Sequence, residues 1–197
     1  MSEEDIEEYE PTEKSAPHDR DEAGPLDEEE APVRPYIDLG GLKVVPRKGM
    51  QMRLEVEEKT KRVVAATLQL GESAVQLQGF AAPRSEGIWR PVREVLTESL
   101  KKQGAKVSEE EGALGPELRA EIPAGEKGKR NVRILGVDGP RWMLQGLITG
   151  KAGSDEAEYE RMIEVFRATV VVRGQQPMPP RDLLPLKAPT APETAKQ

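Results

Sequence analysis

Between residues 73 and 103 the chain changes its hydrophobic period from two to that of a helix, about 3.6, and no other stretch limits the fold as much. Val75, Leu77 and Gly79 fall on one side of the first part and Gln76, Gln78 and Phe80 on the other, the pattern of a half-buried strand. Val92, Val95, Leu96, Ser99 and Leu100 then recur as one buried helical stripe. Residues 80–89, Phe-Ala-Ala-Pro-Arg-Ser-Glu-Gly-Ile-Trp, lie between, so a strand hands over to a helix there and Trp89 anchors the crossing. Pro91 is well tolerated as a first helical residue, which predicts a regular helix from Pro91 after a separate turn at 85–90. Gly104 stops it, with Lys101 and Lys102 near the negative end of the helix dipole.

The flanking segments read as a sheet. Gly40 and Gly41 turn the chain into a short strand at Leu42 and Val44. Met52, Leu54 and Val56 alternate with Arg53, Glu55 and Glu57, and Val64, Ala66, Leu68 and Leu70 share one face of the next strand. Short polar turns between them predict an antiparallel meander. Beyond the helix, residues 108–115 read as an acidic loop, Leu118, Ala120 and Ile122 as a strand, and Val132 and Ile134 as another. The Asp138-Gly-Pro turn leads to a strand with Trp142, Leu144, Gly146 and Ile148 on one face. Asp155 and Glu158 have capping-box spacing ahead of a second helix striped by Tyr159, Met162, Ile163 and Phe166, and 169–173 is a last strand. The expected fold is α+β: a single mostly antiparallel sheet of about six to seven strands with two main helices packed against it. Its element order is similar to the PsbP-like fold.

Charge divides the chain further. Residues 1–35 hold fourteen Asp and Glu against three Lys and Arg, a net of −11, and the remainder holds 22 against 26, a net of +4. With five prolines and almost no large apolar side chains, 1–35 is expected to be a disordered acidic arm, 36–174 the α+β domain, and 175–197 a proline-rich tail, partly docked or disordered. The tail either packs through Leu183, Leu184 and Leu186 or stands free as a peptide ligand. The absence of cysteine excludes disulfides and thiolate chemistry. The opening residues lack the basic start and apolar segment of a secretory signal, and no apolar run is long enough for a membrane helix, so a cytoplasmic protein without membrane association is expected.

Catalytic signatures are weak. The single histidine, His18, falls in the acidic arm, away from any scaffold that would hold a triad or a zinc ligand. The Gly125 to Gly128 and Gly136 to Gly139 spacings lie between strands and match hairpin turns as well as phosphate or RNA loops. Carboxylate pairs such as Glu94 and Glu98 share helix faces, as any solvated acidic face does. No catalytic residue, cofactor or metal is expected. The leading reading is a non-catalytic interaction or scaffold module whose partner is a protein, engaged through Met178, Pro179, Pro180, Arg181, Leu183 and Leu184. The alternative is phosphate or nucleic-acid binding by a basic hairpin carrying Lys127, Lys129, Arg130 and Arg133, with Arg141 just beyond and Arg84, Arg90 and Arg93 flanking Trp89. A small-molecule binder or enzyme with its site between sheet and helices is the third.

Residues 80–89, 136–142 (Gly-Val-Asp-Gly-Pro-Arg-Trp) and 171–185, with Asp38-Leu-Gly-Gly-Leu42, resemble a family of actinobacterial proteins, domain of unknown function 3710. The resemblance implies a bacterial cytoplasmic protein with an acidic leader and supplies no reaction or ligand.

Overall fold

A computed structural model describes residues 11–189. In chain order it contains a one-turn helix α1 (Arg20–Ala23), strands β1 (Leu26–Asp27), β2 (Ile37–Asp38), β3 (Leu42–Val44), β4 (Gln51–Val56), β5 (Val63–Leu70) and β6 (Ser73–Ala81), and helix α2 (Trp89–Lys102). Strands β7 (Lys106–Gly112), β8 (Gly115–Pro123), β9 (Lys129–Gly139) and β10 (Trp142–Gly150), helix α3 (Glu156–Arg167) and β11 (Val170–Val171) follow. The α+β class is as expected, but the strands form two sheets rather than one. Seven of them pair in the order β4-β5-β6-β10-β9-β8-β7, antiparallel throughout, and four short ones in the order β1-β11-β3-β2.

The pleat of β9 and β10 sorts side chains to two faces. Trp142, Leu144, Gly146 and Ile148 share one face with Val137 and Leu135. That face packs under α3 and the small sheet, in one core with Leu42, Val44, Leu68, Leu77, Met162, Phe166 and Val171. Met143 and Leu147 join Ile134 on the opposite face, under α2, in a smaller core centred on Trp89. The small sheet splits off because the apolar residues of β3 and β11 close the first core as a lid. Two- and three-residue strands are too short to extend a nine-residue ladder and still cover its face.

Local differences from expectation have local causes. Helix α2 begins at Trp89 rather than Pro91, because the Asp138 carboxylate accepts from the backbone N–H groups of Ile88 at 2.9 Å and Trp89 at 3.2 Å. Pro91 then sits in the first turn, where a missing N–H costs nothing. The buried stripe of α2 is Trp89, Val92, Leu96 and Leu100, and Val95 lies 58% exposed, one step outside it. The acidic stretch expected as a loop is the edge strand β7, whose Glu109, Glu110 and Glu111 face solvent and so leave no apolar alternation to read. The Asp155 cap of α3 is present, its side chain accepting from Glu158 N–H at 3.0 Å, but Glu158 turns away to accept from Ser73 Oγ at 2.8 Å.

Both flanking segments contact the body. Residues 1–10 and 190–197 of the expected arm and tail lie outside the described residues, whereas 11–35, expected to be disordered, runs across the domain. Strand β1 pairs in parallel with β11 and Arg167 grips Asp19 at 2.7 Å, while within the arm Arg20 grips Glu30 at 2.8 Å. The composition argument concerns what a segment can bury by itself. Here the body supplies the apolar surface and the arm contributes backbone and ion pairs. In the tail, Leu184 is 1% exposed, its N–H donates to Gly79 O at 2.8 Å, and a Cβ on Gly79 would stand 2.9 Å from its Cδ1. Strand β6 thus keeps a glycine where the tail crosses.

Candidate functional site

The β9–β10 hairpin turns through Pro140 and Arg141, with Arg141 at φ +62°. Pro at the first central position with a left-handed residue at the second is the signature of a type II turn, and that second position favours glycine. Arginine there costs roughly 1 to 2 kcal/mol in backbone strain relative to an unstrained site. The turn is anchored from below by Trp142, fully buried, whose Nε1 donates to Asp27 Oδ1 at 2.8 Å.

Three other segments bring cations to this turn. The arm crosses Asp138, with Ser15 N–H on Asp138 Oδ2 and Asp138 N–H on Ser15 O, both at 2.9 Å, and places Lys14 Nζ on Gly139 O at 3.1 Å. The β6–α2 loop brings Arg84, held by Ala82 N–H on Arg141 O at 2.9 Å. The chain after β11 brings Arg173, which donates to Gln176 O at 2.8 Å. Lys14, Arg84, Arg141 and Arg173 line one open cleft of about 470 Å³, which Asp27, Glu28 and Glu29 also line. Among the described residues none of the four cations is ion-paired. Arg173 Nε is buried without a hydrogen-bond partner. Desolvation and the neighbouring charge of Arg141 push the Arg173 guanidinium below its ordinary pKa. An anion in the cleft would relieve that repulsion.

A second polar cluster lies under α3 and is closed to solvent. Tyr159 Oη donates to Glu117 Oε1 at 2.5 Å, and the Arg133 guanidinium stacks over the Tyr159 ring at 4.1 Å. Arg133 also reaches Gly153 O at 3.4 Å and Glu156 Oε2 at 3.3 Å. Desolvation and the Glu117 carboxylate push the Tyr159 phenol up to about 12, so it remains the donor. Desolvation likewise raises Glu117 above its ordinary value, against the pull of Tyr159, of Arg119, whose Nε lies 3.6 Å from Glu117 Oε2, and of Arg133. A carboxyl raised on folding contributes stability that is complete below its unfolded pKa and is lost as pH rises through the folded one. Glu117→Gln should therefore show a smaller drop in urea midpoint than the parent chain between about pH 4 and about pH 7. An unchanged drop would count against this origin.

The sequence model of the family described as "Protein of unknown function (DUF3710)" matches residues 24–195. The chain belongs to this family. No curated protein and no solved structure matches it. The DUF3710 match takes in Asp27, Arg84, Arg141 and Arg173 of the cleft and leaves Lys14 outside.

The residues singled out from sequence are scattered in this DUF3710 chain. Of the basic hairpin, Lys129 pairs with Glu121 at 3.5 Å, Arg130 is exposed, Arg133 is buried under α3, and the Lys127 side chain lies outside the described residues. Charge counting cannot tell Arg133 from its neighbours, but its place on the inner face of β9 can, since it pairs with Ile148 in the register. Of the tail group, Pro179, Pro180 and Arg181 are exposed, Met178 packs on the core, Leu183 bridges to Phe80, and Leu184 is buried. Arg93 pairs with Glu109 at 2.9 Å and lies over Trp89, and Arg90 faces solvent beside Glu94. His18 is exposed on the arm. Arg84 and Arg141 are legible as basic positions, while Lys14 and Arg173 carry no local signal. Among the described residues no group of three His, Asp or Glu converges as a metal site, and no helix is long and apolar enough to cross a membrane.

Proposed function

We propose that the chain is a non-catalytic recognition module that binds a phosphate-bearing small molecule in the cleft of Lys14, Arg84, Arg141 and Arg173. The observation that carries this reading is the pair Arg141 and Arg173, two like charges held beside one hollow without a carboxylate partner, one of them on a strained turn. Both side chains also donate to carbonyls of the segment after β11, Arg141 to Gly174 O at 3.5 Å and Arg173 to Gln176 O at 2.8 Å, but those bonds require neither the strained turn nor the paired charge. The expectation of a module working by contact is kept, but its receptor surface is the cleft rather than the tail. The phosphate site moves from the 127–133 hairpin to the turn at the opposite end of β9.

The test separates binding from stability. Calorimetric titration of the intact chain with inorganic phosphate at low salt should give saturable binding that weakens as salt is raised. Arg141→Gly relieves the positive φ, so its unfolding free energy should rise by about 0.5 to 1 kcal/mol while phosphate affinity falls about tenfold. Absence of phosphate binding by the parent chain, or full affinity in Arg141→Gly, overturns the reading.

A further inference from the structure

The cleft is two-signed, and the arrangement of its acidic wall says what else a ligand carries. Asp27, Glu28, Glu29 and Glu30 are consecutive, yet they divide into two pairs with different work. Asp27 accepts from Glu29 N–H at 3.1 Å and from the Trp142 indole, and Glu30 accepts from Asp27 N–H at 2.8 Å while Arg20 grips it through both oxygens at 2.8 and 2.9 Å. These two lock the 3-10 turn Glu28–Glu30 against the body. Glu28 and Glu29 are exposed, line the cleft, and make no side-chain hydrogen bond or ion pair among the described residues.

Long glutamate and arginine side chains within reach of each other pair readily. Here three carboxylates and four cations line one hollow, and among the described residues none of them pairs across it. The backbone therefore keeps the two signs from pairing and leaves a gap of about 470 Å³ lined by both. The complement of such a gap has separated charges of both signs.

We propose that the ligand is dipolar, a phosphate monoester bearing a primary ammonium group a few bonds away, its phosphate toward Arg141 and Arg173 and its ammonium toward Glu28 and Glu29. The inference rests on the cleft being an anion site. It adds the sign and position of the second group, and it assigns Glu28 and Glu29 as specificity-determining residues.

Two esters that differ only in the amine test it: O-phosphoethanolamine and ethyl phosphate, each titrated into the intact chain at low salt. The ammonium faces two exposed carboxylates, so O-phosphoethanolamine should bind about fivefold more tightly than ethyl phosphate. In the double variant Glu28→Gln, Glu29→Gln that preference should vanish, with ethyl phosphate bound as well as before or better. Equal or tighter binding of ethyl phosphate by the parent chain overturns the dipolar ligand and leaves the anion site standing, and so does a preference that survives in the double variant. Failure of both esters to bind removes the anion site and this inference with it.

Discussion

Replacing Trp89 by alanine is expected to lower the unfolding free energy by about 4 kcal/mol, read from urea denaturation. The ring is fully buried and joins the N-terminus of α2 to the outer face of the large sheet. It lies so close to β9 that a Cβ placed on Gly136 would stand 2.1 Å from the indole, and Nε1 donates to Pro116 O at 2.8 Å on the neighbouring strand β8. The core around it is small, with Ala82, Ile88, Leu118, Ile134 and Met143 as its other buried members. A cavity here has few neighbours able to collapse into it, which keeps the loss within the usual range of about 3 to 5 kcal/mol. Gly136→Ala should destabilise for the complementary reason, since the ring can yield only by lifting the helix. A loss in Trp89→Ala below about 1 kcal/mol would show that the ring is dispensable to the second core.

Arg133→Ala should cost about 3 kcal/mol, while Lys129→Ala and Arg130→Ala in the same strand should each cost less than about 1 kcal/mol. Arg133 is 5% exposed, and its loss removes the stacking on Tyr159 and one of the two guanidinium groups that offset the buried Glu117 carboxylate. Breaking a buried pair leaves the surviving charge uncompensated, which is the costly outcome. Replacing both members by neutral groups of similar volume often is not. Combining Arg133→Met with Glu117→Gln should accordingly recover much of the loss. Equal effects of alanine at 129, 130 and 133 would place Arg133 on the surface and remove the buried network from the account.

How much of this was legible in the residues can be judged from particular elements. Alternation in 73–81 and the stripe through Trp89, Val92, Leu96 and Leu100 identify β6 and α2, because a strand or helix with one buried face writes that face into its own period. Strand β7 left no such record, since an edge strand with most residues in water has no buried face to write. The acidic arm looked disordered for a related reason. Its partners, Thr169 and Val170 for the β1 segment and Asp138 for the stretch around Ser15, lie more than a hundred residues away. Leu184 read equally well as a docked residue or a free ligand until Gly79 and Gly41 were placed opposite it.

Residue order alone determined the strands with one dry face, the two long helices, the Asp155 cap and the basic positions at 84 and 141, because each of these is decided by neighbours a few residues away. Tertiary structure decided that the strands divide into two sheets, that Arg133 is interior while Arg130 is not, and that Lys14, Arg84, Arg141 and Arg173 share one cleft. Pairing between distant strands is chosen by the summed burial of whole faces. Four like charges are brought together only when that burial has more than offset their repulsion.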